Sequence, residues 1–235
     1  VLPADCAGCG ARAAGLRYGV CAECVAALEA LTPFPTRPSP APPGLPPCTA
    51  LGDYDGVLRQ VLLSYKERGR HTLAGPLGVL LARVVAAAAG GARTPVLLVP
   101  VPATAAAARR RHGDHMWWLA REATARLRVS GRVATVARPV RARRRPDSAE
   151  LDSAGRATAA AATFRLRSRP PGRGRSATLP AGGRVVLLDD IVTTGATLAA
   201  VRTRLAEAGL PVHAAAVLAA TIRRTAPVRG TGVWS

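Results

Sequence analysis

The fold of this chain is constrained most by residues 185–198, VVLLDDIVTTGATL, where an apolar run meets two carboxylates and a Thr/Gly turn. Residues 185–188 form a continuous apolar run with β-branched members, which is typical of a strand buried in a parallel sheet. From 198 to 208, apolar residues recur at helical spacing. The stretch therefore predicts a strand in the middle of a sheet, followed by a loop and a helix.

Two acidic residues and a loop of small residues follow the predicted strand. Asp189 and Asp190 stand where we expect the strand to end, and ligands of open α/β sheets bind at this carboxyl edge. The loop consists of Thr193, Thr194, Gly195, Ala196 and Thr197. Its small side chains and a glycine that tolerates positive φ let successive backbone N–H groups point into one concavity. Because the following helix adds about half a positive charge there, the loop is predicted to bind a phosphate.

A single ligand would explain why carboxylates lie beside an anion-binding loop. A ribose 5-phosphate has neighbouring hydroxyl groups for Asp189 and Asp190 and a phosphate for the loop over 193–197. The alternative is an Asp-rich turn and a Thr N-cap that join a strand to a helix without any ligand. A Walker-type nucleotide loop is excluded, because the Gly-Lys-Ser/Thr ending is absent.

The same stretch resembles the phosphoribosyl pyrophosphate (PRPP) motif of type I phosphoribosyltransferases, in which two acidic residues precede a Thr/Gly-rich loop. The resemblance implies that PRPP binds with Mg²⁺ and that diphosphate leaves C1 of the ribose as a nitrogen nucleophile attacks. Asp189 and Asp190 would be the catalytic residues, holding the ribose hydroxyls while the ring gains oxocarbenium character. The loop over 193–197 would anchor the 5-phosphate.

Further residues could form a diphosphate-binding side of this site. They are Lys66 at the end of a predicted helix, Pro100 and Val101 at the end of a second predicted strand, and Arg109, Arg110 and Arg111 in an arginine-rich stretch. Clustered guanidinium groups can bind a diphosphate in bidentate fashion, and a lysine can meet it as a point charge. The alternatives are a solvated lysine at a helix end and a solvated run of charge.

Four cysteines near the start form two Cys-x-x-Cys pairs, Cys6 with Cys9 and Cys21 with Cys24. Two residues between thiolates let both sulfurs of a turn reach one ion, and a second pair completes a tetrahedral four-sulfur site. We therefore predict a closed, structural zinc ribbon over 1–31. The alternative is two disulfides, which a reducing cytosol would disfavour.

The remaining domain boundaries follow from composition. Residues 32–50 are dense in proline and are predicted to form a semi-rigid linker, with an extended wrap over the next domain as the alternative. A globular domain is predicted over 51–222, and residues 223–235 are predicted to be a basic tail because they lack any periodicity.

The net charge of the chain is strongly positive, +19 over 235 residues. On charge alone this indicates an anionic partner such as nucleic acid. However, arginine supplies nearly all of the charge, since Lys66 is the single lysine, and this pattern is also typical of GC-rich codon usage. Aromatic residues are only 3% of the chain, which provides poorly for base stacking on single strands.

The sequence predicts neither a membrane span nor a secretory signal. No apolar run reaches the roughly 18 residues needed to cross a bilayer, because Arg83 interrupts the best candidate, 77–89. The start of the chain lacks a basic region followed by a long apolar core, so we expect a cytoplasmic protein without membrane insertion.

Taken in chain order, these features resemble the ComF family of competence-associated phosphoribosyltransferase-like proteins. The order is a double-cysteine ribbon, a linker, a helix ending in Lys before a Gly, a Val-Pro-Val-Pro strand end, an Arg/Gly stretch and the PRPP loop. The resemblance covers nearly the whole chain. It implies an α/β type I phosphoribosyltransferase-like fold, a central mostly parallel sheet flanked by helices, with a small N-terminal four-cysteine zinc ribbon. It also implies a link to DNA uptake in natural competence, with single-stranded DNA or a DNA-uptake helicase as partner.

The chain departs from the ComF pattern on the diphosphate side. Where the family commonly has Arg-Gly-Phe-Asn-Gln, residues 112–116 read HGDHM. Two functions therefore remain open. The first is a phosphoribosyltransferase, and the second is a non-catalytic DNA- or helicase-binding module with a vestigial or sensory PRPP pocket.

Overall fold

A six-stranded sheet organises the part of the chain that the computed structural model describes, which is residues 4–13, 15–91, 93–111, 113–142, 163–167, 179 and 181–221. The sheet contains β3 (Phe34–Thr36), β4 (Cys48–Asp53), β5 (Val96–Pro100), β6 (Ala134–Val136), β9 (Arg184–Val192) and β10 (Val212–Ala220). Two small sheets pair β1 (Ala4–Asp5) with β2 (Arg12–Ala13) and β7 (Val140–Ala142) with β8 (Phe164–Leu166). The predicted tail over 223–235 lies outside the described residues.

The strand order of the large sheet is β3-β4-β10-β9-β5-β6, and every pairing is parallel except that of β3 with β4. The predicted strand with the two aspartates, β9, lies inside the sheet between β5 and β10. Its apolar run is fully buried, as expected for a strand covered on both faces. The predicted α/β fold with a central, mostly parallel sheet is confirmed.

Helices cover both faces of this sheet, with α2 (Gly56–Glu67), α3 (Ala74–Ala89) and α5 (His115–Val129) on one face and α6 (Ala196–Glu207) on the other. Helix α1 (Ala22–Glu29) packs against α2, and α4 (Ala105–Arg110) follows β5 without a buried residue. The core on one face contains α2, α3 and α5 with Val186 and Leu188 of β9, and the core on the other contains α6 with Val185 and Leu187. Successive residues of the strand therefore pack into the two cores in turn, one on each face of the sheet.

The four-cysteine segment packs against α2 and α3. Its buried residues belong to the same core as those helices. The hydroxyl of Ser64 donates a hydrogen bond to the backbone carbonyl of Ala7 at 3.1 Å. Arg83 of α3 donates to the carbonyl of Glu29, at the end of α1, at 3.0 Å and to that of Leu31, just beyond it, at 2.6 Å. The segment is therefore attached to the sheet domain by both packing and hydrogen bonds.

The Pro-rich segment predicted as a linker takes part in the large sheet. Residues 34–36 form the edge strand β3, and 48–50 begin β4. Pro35 is accommodated there because an edge strand can lack an N–H donor on its open side. The segment is therefore extended along the domain, as in the alternative considered for it, while the predicted domain boundaries stay predictions.

The apolar stretch interrupted by Arg83 is longer than the sequence pattern indicated. Together with a preceding 3-10 turn (His71–Leu73), α3 gives a stretch from His71 to Ala89 that is long and apolar enough to cross a bilayer. Half of it is buried inside the protein, against α5 and the sheet. The core helix of a globular domain has the same length and composition.

Candidate functional site

The predicted phosphate loop connects β9 to α6 and forms a small concavity. Asp189 and residues 191–198 line it. Gly195 has φ 75° and ψ 0°, and a Cβ at this position would lie 2.7 Å from Cδ1 of Leu45. The loop therefore requires a glycine for two reasons, the left-handed backbone and the close approach of Leu45.

The start of α6 is largely uncapped by side chains. Thr194 Oγ1 accepts a hydrogen bond from Ala196 N at a long 3.4 Å, and no side chain caps the helix at Gly195. The first N–H groups of a helix need an external partner. An anion in the concavity would provide one. The N-cap residue is Gly195, and the threonine before it contributes only the long hydrogen bond from Ala196 N.

The two aspartates lie within the strand, which continues to Val192, whereas the sequence predicted that the strand would end at them. The ladder with β10 continues past them, and Asp189 is paired with Val217. The apolar run ends at Leu188, but β10 still offers backbone partners up to Val192. Since neighbouring residues of a strand point to opposite faces, the two carboxylates are directed apart.

Asp189 is the carboxylate on the loop side. It lines the concavity, is partly buried, and accepts a hydrogen bond from the backbone N–H of Asp190 at 3.0 Å. Burial raises the pKa of Asp189 above its usual range, and the negative charge of Asp190 raises it further. The hydrogen bond from Asp190 and the charge of Lys66 oppose this shift only in part.

Asp190 is the carboxylate on the side of α2 and α5. Lys66 Nζ and His115 Nε2 each lie 2.8 Å from the same oxygen, Oδ2. The side chains of Asp190, Lys66 and His115 are only 7%, 17% and 11% exposed, so the ion pair is largely shielded from water. Burial alone would raise the pKa of Asp190, but the hydrogen bond from His115 and the charge of Lys66 outweigh burial and lower it. We call these three residues the Asp190 cluster.

The predicted diphosphate side is brought together only in part. Lys66 joins Asp190, and Val101 N donates to the carbonyl of Leu188 at 2.8 Å, which places the end of β5 beside Asp189. Pro100 is the residue paired with Leu188 in the sheet.

The three arginines differ from one another. Arg111 pairs with Glu67 at 2.8 Å, one residue after Lys66. Arg109 and Arg110 are exposed in the last turn of α4, and among the described residues their side chains make no hydrogen bond or ion pair. The structure therefore ties one of the three to α2, at the residue that follows Lys66.

His115 is the site residue that the sequence interpretation did not select. It is the first residue of α5 and reaches Asp190 across 75 positions of the chain. Asp114, just before it, caps α5 by accepting a hydrogen bond from Trp117 N at 3.2 Å. The available signal was the HGDHM departure at 112–116, which the pattern alone could not connect to an aspartate in β9.

The four predicted zinc ligands come together. The sulfur atoms of Cys6, Cys9, Cys21 and Cys24 all lie within 4.8 Å of one another, so they could hold one metal ion. The Cys9 and Cys21 sulfurs are 3.8 Å apart, about the separation that tetrahedral bonds of roughly 2.3 Å would give. The alternative of two disulfides is not observed, because all four thiols are free.

Backbone N–H groups support the thiolate form of one of these ligands. Cys21 N and Gly8 N donate to the Cys6 sulfur at 3.3 and 3.4 Å. Burial of Cys6 opposes ionisation, but these N–H donors outweigh burial and lower its pKa to about 6. Such a thiolate suits a soft divalent metal such as zinc.

A model of the family described as "Phosphoribosyl transferase domain" matches residues 77–231. This match covers about two thirds of the chain and includes β9, the loop and α6. The four-cysteine segment and α2, with Lys66, lie before it. A search of curated proteins finds no match to the chain.

Proposed function

The chain belongs to the phosphoribosyl transferase domain family, and we propose that it binds PRPP and transfers a 5-phosphoribosyl group in the manner of the ComF type. One observation carries this proposal. The glycine-dependent loop at the start of α6, with its uncapped N–H groups, shares a concavity with Asp189. Backbone N–H groups that can donate to a phosphate thus lie beside a carboxylate that can accept from a hydroxyl, and a ribose 5-phosphate requires both.

In the proposed reaction the 5-phosphate of PRPP serves as an anchor, and the diphosphate on C1 is the leaving group. The loop over 193–197 anchors the 5-phosphate, so that binding energy remote from the reaction orients C1. The bond from C1 to the diphosphate breaks, and the diphosphate leaves with the bonding electrons. A nitrogen nucleophile then forms the new bond to C1 and loses its proton to water. Asp189 accepts hydrogen bonds from the ribose hydroxyls while positive charge develops on the ring.

Lys66 is the residue proposed to meet the diphosphate. It lies at the last turn of α2, beside Asp190 of β9, and its long side chain can turn from Asp190 toward an incoming anion. Mg²⁺ suits the hard oxygens of PRPP and water, and when bound with PRPP it supplies neutralisation of the diphosphate charge.

A second function, from a different class, is a non-catalytic PRPP sensor that contacts single-stranded DNA or a DNA-uptake helicase. The observation that favours it is the Asp190 cluster, because Asp190 is committed to two protein donors on one oxygen. In this case DNA affinity should fall steeply with salt, by about 0.7 decades per decade of salt for each phosphate neutralised. A cytoplasmic location is part of both proposals.

The test is calorimetric titration of PRPP into the metal-loaded protein, with and without Mg²⁺. Micromolar, Mg²⁺-dependent binding that is lost when Asp189 and Asp190 are both changed to Asn supports the assigned pocket. Release of diphosphate with one of a panel of nucleobases then separates a transferase from a sensor. Absence of PRPP binding, or binding that the double variant retains, would overturn the proposal.

A further inference from the structure

One side chain of the site, His115, has no role in the proposed function, although it contacts a carboxylate of the PRPP motif. Its Nε2 lies 2.8 Å from Asp190 Oδ2. Because the pKa of Asp190 is held low, the carboxylate is ionised at neutral pH and can only accept a hydrogen bond. The Nε2 atom of His115 is therefore the donor.

The orientation of His115 is set by the protein and does not depend on a ligand. The hydroxyl of Tyr65 donates to the backbone carbonyl of His115 at 2.8 Å. The rings of the two residues also pack edge to face, with centroids 6.3 Å apart and planes inclined by 64°. Asp114 caps the helix immediately before this residue. These contacts fix the imidazole where it meets Asp190.

Lys66, the other partner of Asp190, has a more flexible side chain than His115. Its ammonium group ends a flexible stem and can leave the carboxylate for the diphosphate of PRPP. The groups that face Asp190 are Lys66 from α2 and His115 from α5, with the hydroxyl of Tyr65 from α2 close enough for the charge of Asp190 to raise its pKa. Asp189, its neighbour in the strand, points to the opposite face but acts on it through its charge. If Lys66 turns away, His115 is the donor that still holds the carboxylate. Among the described residues, both contacts fall on Oδ2, so the other oxygen is left for a ligand hydroxyl.

We propose that His115 is a positioning residue, whose Nε2–H holds the Asp190 carboxylate in place so that its second oxygen can accept a ribose hydroxyl of PRPP. This inference rests on the proposed function. It assigns to a residue of the divergent HGDHM stretch the part of a built hydrogen-bond donor, not of a space-filling core side chain.

Two amide substitutions test this inference. The terminal N–H₂ of Gln reaches about as far as Nε2 of His, whereas that of Asn is shorter. We expect His115→Asn to weaken PRPP binding about tenfold or more, as loss of a hydrogen bond to a charged group implies. His115→Gln should stay within about threefold of the wild-type protein. His213→Gln is the matched control, because His213 is exposed on β10.

The outcomes separate this inference from the proposed function. Equal losses in His115→Gln and His115→Asn would mean that packing against Tyr65 matters, and would overturn the positioning role. Unchanged affinity in both variants would overturn it as well. If the wild-type protein does not bind PRPP, the proposed function fails instead.

A second measurement needs no PRPP. Acid titration of the carboxyl ¹³C signals, with Asp190 assigned from Asp190→Asn, should give a higher pKa for Asp190 in His115→Asn than in the wild-type protein, because a donor to the carboxylate is lost. The pKa should change little in His115→Gln. An Asp190 pKa that is the same in all three proteins would overturn the hydrogen bond on which the inference depends. Thermal unfolding of each variant confirms that it is folded.

Discussion

The phosphate loop and the Asp190 cluster lie on either side of the same strand end but are built in opposite ways. The loop is one continuous stretch, 193–197, whose shape depends on a positive φ at Gly195. The cluster joins Lys66, His115 and Asp190 from α2, α5 and β9. The loop therefore needs little beyond its own strand and helix, whereas the cluster exists only when three elements pack correctly.

The cluster has a further dependence that the loop lacks. Helix α2 presents Lys66 to the site and, two residues earlier, Ser64 to the four-cysteine segment. Residues two apart on a helix lie on nearly opposite faces. A change in the four-cysteine segment should therefore reach the cluster through α2, while the phosphate loop, on α6, should feel it less. Two ligands distinguish the two regions. Both ribose 5-phosphate and PRPP carry the 5-phosphate proposed for the loop, but only PRPP carries the diphosphate proposed for Lys66 of the cluster.

The largest effect should come from removing the metal. Structural zinc can supply on the order of 10 kcal/mol to the folding of such a segment. Treatment with a chelator should release one zinc per chain, lower the unfolding temperature, and weaken PRPP binding more than ribose 5-phosphate binding. Colorimetric zinc release, thermal unfolding and calorimetry measure these effects.

Cys48→Ala is the control, because Cys48 is a buried cysteine outside the four-sulfur cluster. Treated with the chelator, the Cys48→Ala variant should release the same amount of zinc as the wild-type protein. Equal weakening of both ligands after metal removal would break the comparison between the two regions.

The next largest effect should separate the two aspartates, with opposite signs. At pH 7, Asp190→Asn should destabilise the protein by about 3 kcal/mol, because it breaks a buried ion pair and leaves Lys66 without its partner. Asp189→Asn should stabilise it, because the native state no longer buries a carboxylate whose pKa is raised. Denaturant unfolding measures both free energies.

The pH dependence follows from the directions of the two shifts. The contribution of Asp190, whose pKa is lowered, is present above the unfolded pKa near 4 and is lost as pH falls through the folded value. For Asp189, whose pKa is raised, the native state keeps the proton to a higher pH than the unfolded state does. The contribution of Asp189 to stability therefore falls as pH rises from the pKa of the unfolded state toward that of the native state. The advantage of Asp189→Asn should therefore grow between pH 5 and 7. A constant difference would contradict the raised pKa.

A smaller effect should follow from Gly195→Ala. The left-handed backbone costs a non-glycine residue about 1 to 2 kcal/mol, and the new methyl group would meet Leu45 at 2.7 Å. Binding of PRPP and of ribose 5-phosphate should weaken together. In Gly209→Ala, at the other end of α6, φ is also positive (70°) but the methyl group meets nothing within 4 Å. That control should lose stability and keep both affinities, and similar affinity losses in the two variants would argue against a phosphate site at the loop.

The smallest effect should come from the arginine-rich stretch. The pair of Arg111 with Glu67 is partly exposed, with the Glu67 side chain 53% accessible, so Arg111→Gln should cost less than about 1 kcal/mol of stability. PRPP affinity should change by less than about threefold in Arg111→Gln, and Arg109→Gln is the matched control. A loss much larger than that in Arg111→Gln would place the guanidinium group on the diphosphate itself.

Much of the architecture could be predicted from local pattern. The two Cys-x-x-Cys pairs meet in one cluster, and the strand, loop and helix around Gly195 follow in the predicted order. These features depend on neighbours in the chain. Side-chain period, Gly tolerance and two-residue cysteine spacing act over a few residues, so the sequence determines them by itself.

The partners of Asp190 were decided only by the tertiary structure. Nothing in the spacing of residues 66, 115 and 190 connects them, because the contact arises when α2 and α5 pack on one face of the sheet. The continuation of β9 past Asp189 likewise depends on β10, which offers backbone partners beyond the apolar run. Local patterns encode which residues are buried. Which polar groups then meet is settled by the packing of distant elements, because a buried charge is stable only where the fold brings it a partner.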